Sequence, residues 1–314
     1  MLKEVVNKDN KKIICLTFDS IEDILNYIET TPHNSNYWGP NVNELSSRKR
    51  DNHKINFSGT KSLEEAIELC RFSRFDEMEE LFNINEQLKF NVPNYLNKRK
   101  TELGVYGFRP DIPKRIMGHP KQMHRIVRDE SKKFINIYFN VGAACVVAKE
   151  AIYNKGIISL KMINLLESLD YRVNFNFFEL SHEHDEYLLI KINIKRFSEK
   201  LDPNICYFPI CHPSFLRRLL FAVCETIEFK YGAWTDSYGK VLEYEEIKEI
   251  LNIQDSDILI NSVNDLGVCG HDLLEDTRNY FERTDLNKYL GNNGSINFDE
   301  KNKTFSLNMN MRKR

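Results

Sequence analysis

The most regular alternation of apolar and polar residues in the chain lies between residues 132 and 195. A period of two predicts strands at residues 134–141, 171–180 and 187–195, each with one apolar and one polar face. Between the first two strands, apolar residues at positions 157 to 169 recur at helical spacing, which predicts a helix. This strand–helix–strand–strand unit is therefore the predicted centre of the fold.

The links between these elements predict how the strands pair. Residues 181–186, Ser-His-Glu-His-Asp-Glu, are too few to form a crossover, so the second and third strands are expected to be antiparallel neighbours. A helix separates the first strand from the second, and such a connection favours a parallel pair with a right-handed crossover.

The same periodicities predict the remaining elements. Further strands are expected at residues 13–18 and 257–264, and a terminal hairpin at residues 295–298 and 304–307. Residues 205–210 are interpreted as a short extended segment. Helices are expected at residues 21–28, 63–70, 244–251 and 273–289, with another that begins at His212.

This element order predicts an α/β protein with a doubly wound, mostly parallel sheet that contains an antiparallel hairpin. We expect an α-rich N-terminal portion over residues 1–130 and an α/β core domain over residues 131–314. The order of the core elements resembles the von Willebrand factor A-type fold, which carries a metal motif, Asp-x-Ser-x-Ser, just after its first strand. The matching positions here hold Asn140, Gly142 and Ala144, and magnesium requires hard oxygen ligands, so no metal site is expected.

Composition limits the classes of function. The chain has 314 residues, of which 41% are hydrophobic, and a net charge of −2, which argues against a dedicated nucleic-acid-binding protein but not against a local basic patch. No apolar run reaches the roughly 18 residues of a membrane span, so no membrane association is expected. The seven cysteines are scattered and odd in number, which favours free, buried thiols in a reducing cytoplasm.

A basic stretch rich in proline and glycine, residues 104–128, precedes the first core strand and is interpreted as an ordered loop. Aromatic residues are interspersed, among them Tyr106 and Phe108, and positive side chains beside aromatic ones suit a nucleic-acid backbone with unstacked bases. The alternative is that the basic side chains pair with carboxylates such as Asp111 or face water. The candidate binding residues in this stretch are Arg109, Lys114, Arg115, His119, Lys121, His124 and Arg125.

Arg217 and Arg218 complete the set of candidate binding residues. They are adjacent, and on a helix adjacent side chains diverge by about 100°. One of the two is therefore expected to face inward, in a structural ion pair with a residue such as Glu225, and the other outward.

Other chemistry receives weaker support from the sequence. Cys206, Cys211 and His212 are the right residue types for zinc or for a cysteine nucleophile, but their spacing fits neither, and buried structural cysteines are the preferred interpretation. The charged link at residues 182–186 contains residue types that two-metal sites use, yet it lies at a predicted hairpin tip. Neither glycine-rich phosphate-binding motif is present.

Several separated motifs follow one another along the chain: Gly59-Thr60, residues 62–66, 110–113 and 118–120, Met123, Gly156, and residues 171–173 and 212–218. In this order they resemble the motifs of a largely phage-encoded family, the DUF7192-like proteins. The resemblance implies a phage or prophage origin and action in the bacterial cytoplasm, and it implies no activity. The virion is the second location considered for a phage protein.

We therefore expect a non-enzymatic accessory or interaction protein that uses no cofactor. Its partner is expected to be a phage or host protein, or a nucleic acid, bound through the basic loop. The alternative is a metal-dependent nuclease or another nucleic-acid-processing enzyme that uses Glu183, His184 and Asp185.

Overall fold

The fold was analysed in a computed structural model. It describes residues 1–8, 11–32, 58–72, 101–126, 133–144, 146–183, 185–227, 241–284, 286–290, 294–299 and 304–309, together with positions 79, 83, 86, 88, 90 and 91.

The described residues contain twelve strands that form one large sheet and two small ones. The large sheet has six strands in the order β1-β2-β9-β8-β7-β10, and the small sheets have the orders β11-β12-β3 and β4-β6-β5. The strands are β1 Leu2–Lys8, β2 Lys11–Phe18, β3 Phe90–Asn91, β4 Thr101–Gly104, β5 Arg109–Pro110, β6 Met123–Ile126, β7 Lys133–Asn140, β8 Tyr171–Glu183, β9 Glu186–Lys195, β10 Ile258–Ile260, β11 Gly294–Asp299 and β12 Thr304–Met309.

Pairing in the large sheet confirms the two predicted relations. Strands β7 and β8 are parallel, and β8 and β9 form an antiparallel hairpin. Strand β10 adds to β7 in parallel, so the carboxyl ends of these two strands meet at one edge. Strand β2 pairs in parallel with β9, and β1 pairs with β2 in antiparallel register. The antiparallel strand β9 is therefore internal to the sheet.

Helices pack on both faces of the large sheet, and hydrogen-bonding side chains precede several of them. Ser20 accepts from the Asp23 amide at 3.1 Å before α1, and Asp272 accepts from the Leu274 amide at 2.8 Å before α9. The helices are α1 Ile21–Thr30, α2 Leu63–Phe72, α3 Ile112–Ile116, α4 Lys149–Ser168, α5 Pro203–Cys211, α6 Phe221–Cys224, α7 Tyr244–Leu251, α8 Val263–Leu266 and α9 Leu273–Arg283, with a π-helix at Phe215–Leu220 and a 3₁₀ helix at Leu286–Leu290.

The main core lies on the face of the sheet that α4 covers. Phe139, Phe175 and Phe177 form a cluster of edge-to-face and tilted rings there, with centroids 5.0–6.1 Å apart. The opposite face carries a smaller apolar cluster in which Ile247 and Leu251 of α7 belong with apolar residues of the sheet. None of the described helices is long and apolar enough to span a bilayer.

One predicted extended segment and one predicted helix need correction. Residues 205–210 are not extended but form most of α5, which Asp202 caps by accepting from the Asn204 amide at 3.0 Å. Every residue of this short run is apolar and residues 206–210 are buried, so the run shows no periodicity, and the sequence could not distinguish helix from strand there. The long helix predicted at residues 273–289 ends at Arg283, and a separate 3₁₀ helix follows it.

The α-rich character of the N-terminal portion is not confirmed. The described residues before position 131 contribute strands β1 to β6 as well as helices α1 to α3. Strands β1 and β2 belong to the sheet of the predicted core domain. The domain boundary between residues 130 and 131 stays a prediction.

Candidate functional site

Residues 101–126 form a compact unit of strands β4, β5 and β6 with the short helix α3, here called the β4–β6 unit. Backbone bonds from Phe108 to the His124 carbonyl (2.9 Å) and from Asp111 to the Gln122 carbonyl (2.7 Å) join its two sides. Gly107 is required for this approach, because a Cβ atom there would lie 2.1 Å from the His124 carbonyl oxygen. The predicted ordered loop is thus a small sheet.

The β4–β6 unit brings together the seven basic residues predicted within it. Arg109, Arg115, His119 and Lys121 are exposed, whereas Lys114, His124 and Arg125 are half-buried. The unit contains five Lys or Arg residues and two carboxylates, a formal charge of +3 in a chain whose total is −2. Its surface is therefore locally basic.

Two of these basic residues have acidic partners. Arg125 donates from Nε to Glu102 at 2.6 Å and lies 5.6 Å from the centre of the Tyr106 ring. The Glu102 carboxylate raises the pKa of the Arg125 guanidinium. His124 Nε2 lies 3.7 Å from an oxygen of Asp111, which also caps α3. Among the described residues, the alternative of pairing with carboxylates therefore holds for Arg125 and His124.

Large apolar side chains are exposed on the same unit. Ile116 exposes 81% of its surface, Met117 74% and Ile112 56%, all in or directly after α3. Val105, Tyr106 and Phe108 are exposed in the link between β4 and β5. Exposed apolar side chains concentrated on one unit mark an interaction surface more often than scattered ones do.

Arg217 and Arg218 are both buried, so the prediction that one of them faces outward is wrong. The π-helical geometry of Phe215–Leu220 differs from the α-helix on which that prediction was based. Arg217 donates to the carbonyl of Ala144 at 3.3 Å. Arg218 donates to the carbonyls of Thr60 at 2.8 Å and Lys61 at 3.1 Å.

A separate polar cluster lies where the carboxyl ends of β7 and β10 meet. Asn140 donates to Asn261 at 2.9 Å, and Asn261 donates to Asp265 at 2.6 Å. Lys155 of α4 donates from Nζ to the Asn140 carbonyl at 2.6 Å. Crevices at the carboxyl ends of parallel strands are common ligand sites in such sheets.

Lys155 is the unusual member of this cluster. Its side chain is buried, and Nζ lies 4.4 Å from the centre of the Phe139 ring. Burial lowers the pKa of Lys155 to about 7, while the charge of Asp265 opposes this shift. The adjoining cavity, which His212 and Arg217 also line, has a volume of about 20 Å³, which is room for a single water molecule.

Residues 4–288 match a family described as a domain of unknown function, DUF7192. The chain belongs to the DUF7192 family. No curated protein and no solved structure matches it.

Two of the motifs that carried the resemblance to DUF7192 contact each other in the fold. Ser214 donates to Thr60 Oγ1 at 3.0 Å, and Gly59 has a φ of +83°. A Cβ atom on Gly59 would lie 2.9 Å from the ring of His212. These contacts, together with the hydrogen bonds from Arg218 to the carbonyls of Thr60 and Lys61, hold the segment before α2 against the π-helix. Both motifs thus have a structural explanation.

The DUF7192 motif at residues 62–66 caps the start of helix α2. Ser62 accepts from the Glu65 amide at 3.1 Å. The Glu65 carboxylate accepts from the amide of Lys61 at 2.5 Å, one residue before the Ser62 amide that a capping box uses.

The cysteine and histidine candidates are buried in the core. Burial lowers the pKa of His212 to about 4 and raises the pKa values of the Cys206 and Cys211 thiols. His212 stacks on Phe208 with ring centroids 4.6 Å apart. A thiol with a raised pKa is a weak nucleophile and a weak metal ligand, which supports a packing role.

Two residues of the alternative enzyme, Glu183 and Asp185, lie at the tip of the β8–β9 hairpin. His184 and the side chain of Glu183 lie outside the described residues, and Asp185 is exposed. Within the part of the chain that the structure describes, no three His, Cys, Asp or Glu side chains are grouped closely enough to hold a metal ion.

Sequence reasoning missed Lys155, Asn261 and Asp265. The one available signal for Lys155 was its place inside a strongly apolar helical pattern. Asn261 and Asp265 are more than 100 positions from Asn140 in the sequence, and their contact depends on the pairing of β10 with β7.

Proposed function

We propose that this chain is a non-enzymatic interaction protein whose β4–β6 unit binds a protein partner, of phage or host origin, with an acidic and partly apolar surface. The observation that carries the proposal is the concentration of exposed aliphatic and basic side chains on one small unit. Ile116, Met117 and Ile112 are exposed there beside Arg115 and Lys121.

The aliphatic side chains favour a protein over a nucleic acid. Burial of Ile112, Ile116 and Met117 stabilises a complex only against another apolar surface, at about 25 cal/mol per Å². Nucleic acids offer mainly phosphates and base faces, which aromatic side chains suit better. Tyr106 and Phe108 support nucleic acid as the second candidate, since both are exposed near Arg109.

The proposal extends to the fold family and the setting. The order β9-β8-β7-β10 supports a variant of the von Willebrand A-type sheet, with β2 and β1 added beyond its antiparallel strand. A bacterial cytoplasm during phage growth, or the virion, is the proposed place of action. That setting rests on the family resemblance alone.

The test uses the full chain and two surface variants as bait in lysates of phage-infected bacteria. Ile116→Ser with Met117→Ser removes apolar area, and Arg115→Glu with Lys121→Glu reverses charge. Ile205→Ser and Lys200→Glu are matched controls, because both residues are exposed outside the unit. We expect the unaltered chain and both controls to capture a partner that the two unit variants do not. With purified proteins, each unit variant should bind this partner at least about tenfold more weakly than the unaltered chain does.

Three other outcomes would overturn this proposal. Binding of generic single-stranded DNA or RNA that falls steeply between low and moderate salt, and that Lys121→Glu weakens, would favour the nucleic-acid candidate. Cleavage of nucleic acid with magnesium or manganese, lost in His184→Ala, would favour the alternative enzyme. A partner retained equally by all variants would place the interaction elsewhere on the chain.

A further inference from the structure

Strand β1, Leu2–Lys8, forms an edge of the large sheet. It pairs with β2 on one side, and no strand in the described part of the chain pairs with its other side. All seven residues of β1 are exposed. Its outer row of backbone N–H and C=O groups is therefore available for pairing with another strand.

This edge lacks several of the features that keep edge strands apart. The pairing of β1 with β2 is regular over its full length, without a bulge, and the strand contains no proline. Leu2, Val5 and Val6 expose 56%, 55% and 45% of their surfaces. A long, regular, partly apolar edge is a template for strand addition. Lysines oppose such addition unless an acidic residue faces them.

The sequence of β1 is complementary to itself in one antiparallel register. Residues directly opposite each other in an antiparallel pair lie on the same face of the sheet. If two copies pair about Val6, Glu4 of each copy faces Lys8 of the other, and the two Val6 side chains face each other. Pairing centred on Lys3 or on Glu4 would place like charges opposite, and pairing centred on Val5 would place Glu4 opposite Val6.

We propose that two copies of this chain associate through antiparallel pairing of their β1 strands, centred on Val6, so that two six-stranded sheets join into one. The two-fold axis runs perpendicular to the sheet, so both copies contribute the same residues. This proposal is independent of the β4–β6 unit. The interface is small, so the dissociation constant is expected to be on the order of 10–100 µM.

The Lys8 side chain already makes a hydrogen bond within one copy, which limits how much its ion pair with Glu4 can strengthen the dimer. Its Nζ donates to the Glu249 carbonyl at 3.2 Å in an exposed position. The ion pair with Glu4 of the second copy must compete with this bond. Cross-strand charge pairs are therefore expected to modulate dimerisation while the backbone hydrogen bonds provide most of the attraction.

Charge reversal gives a test specific to this register. Glu4→Lys places Lys opposite Lys8 at two symmetric positions, and Lys8→Glu places Glu opposite Glu4. Each variant alone is expected to dimerise about tenfold more weakly. The double variant, and an equimolar mixture of the two single variants, restore opposite charges at both positions. Both are therefore expected to regain the original affinity, the mixture as a heterodimer.

Sedimentation equilibrium over a range of concentrations measures these affinities, with any affinity tag placed at the C-terminus. Lys200→Glu is the matched control, since it reverses an exposed charge away from β1. The proposal is wrong if the unaltered chain stays monomeric up to about 1 mM. It is also wrong if the single variants dimerise like the control, or if neither the double variant nor the mixture recovers. Thermal unfolding of each variant confirms that the monomer fold is retained.

Discussion

At the scale of single residues, the most informative side chain is Lys155. A buried ammonium group normally has an acidic partner, but the hydrogen bond of Lys155 is to a backbone carbonyl, and Asp265 acts on it only as a nearby charge. The lysine thus has a pKa of about 7, against 10.5 in its ordinary state. At a pH between about 7 and 10.5, the lysine is therefore protonated in the unfolded chain and neutral in the folded chain, so the unfolded chain binds one proton more.

This difference predicts that Lys155 makes stability depend on pH. Because the folded pKa is lowered, the contribution of Lys155 to stability rises with pH from about 7 towards 10.5. Lys155→Met removes the titrating group, so the variant should lack an increase of about 1.4 kcal/mol per pH unit in that window. Urea unfolding at several pH values measures the difference. Lys200→Met, at an exposed position, serves as the control and should keep the same dependence of the free energy of unfolding on pH as the unaltered chain. If Lys155→Met also kept that dependence, the lowered pKa of Lys155 would be contradicted.

At the scale of elements, the contact between α4 and α5 depends on Gly156. A Cβ atom there would lie 2.3 Å from Ile210 Cγ2 and 2.5 Å from Cys211 Sγ. In an isolated helix, Gly→Ala is stabilising by about 1 kcal/mol. Here we expect Gly156→Ala to lower the free energy of unfolding by about 1–3 kcal/mol, because the two helices must separate.

Chemical denaturation measures this effect, and a second substitution checks its cause. Ile210→Ala in the Gly156→Ala background removes the nearest atom, so its cost should be smaller than the cost of Ile210→Ala alone. If the effects of the two substitutions on the free energy of unfolding were additive, the close approach of α4 and α5 would not be the reason that position 156 requires glycine.

The elements that could be predicted from the sequence are those with one buried face. Strands β7, β8 and β9 and helix α7 were predicted because apolar side chains recur on one side of each. Strand β1 was missed because it is exposed throughout, so its residues show no alternation. Helix α5 was wrongly predicted to be extended because residues 205–210 are all apolar and therefore also show no alternation. The basic residues of the β4–β6 unit were found by composition, but its strands depend on pairing between residues 13 to 25 positions apart.

At the scale of the whole molecule, several buried groups together predict an alkaline optimum of stability. Burial raises the pKa of Glu179 to about 7 and lowers the pKa of His212 to about 4. As pH rises, the glutamate destabilises the fold from about 4.5 to 7 and the histidine stabilises it from about 4 to 6.5. Their opposite slopes largely cancel, which leaves the contribution of Lys155 above pH 7.

Buried thiols then set the upper limit of this stabilisation. Burial raises the pKa values of Cys70, Cys206 and Cys211 above their ordinary value of 9.0. Above that pH the unfolded chain loses thiol protons that the folded chain keeps, so stability falls as pH rises further. The free energy of unfolding should therefore rise from pH 7 to a maximum near pH 9, measured by urea titration under reducing conditions. In Lys155→Met the rise should vanish while the fall above pH 9 remains, and a maximum at neutral pH in the unaltered chain would contradict the burial of these groups.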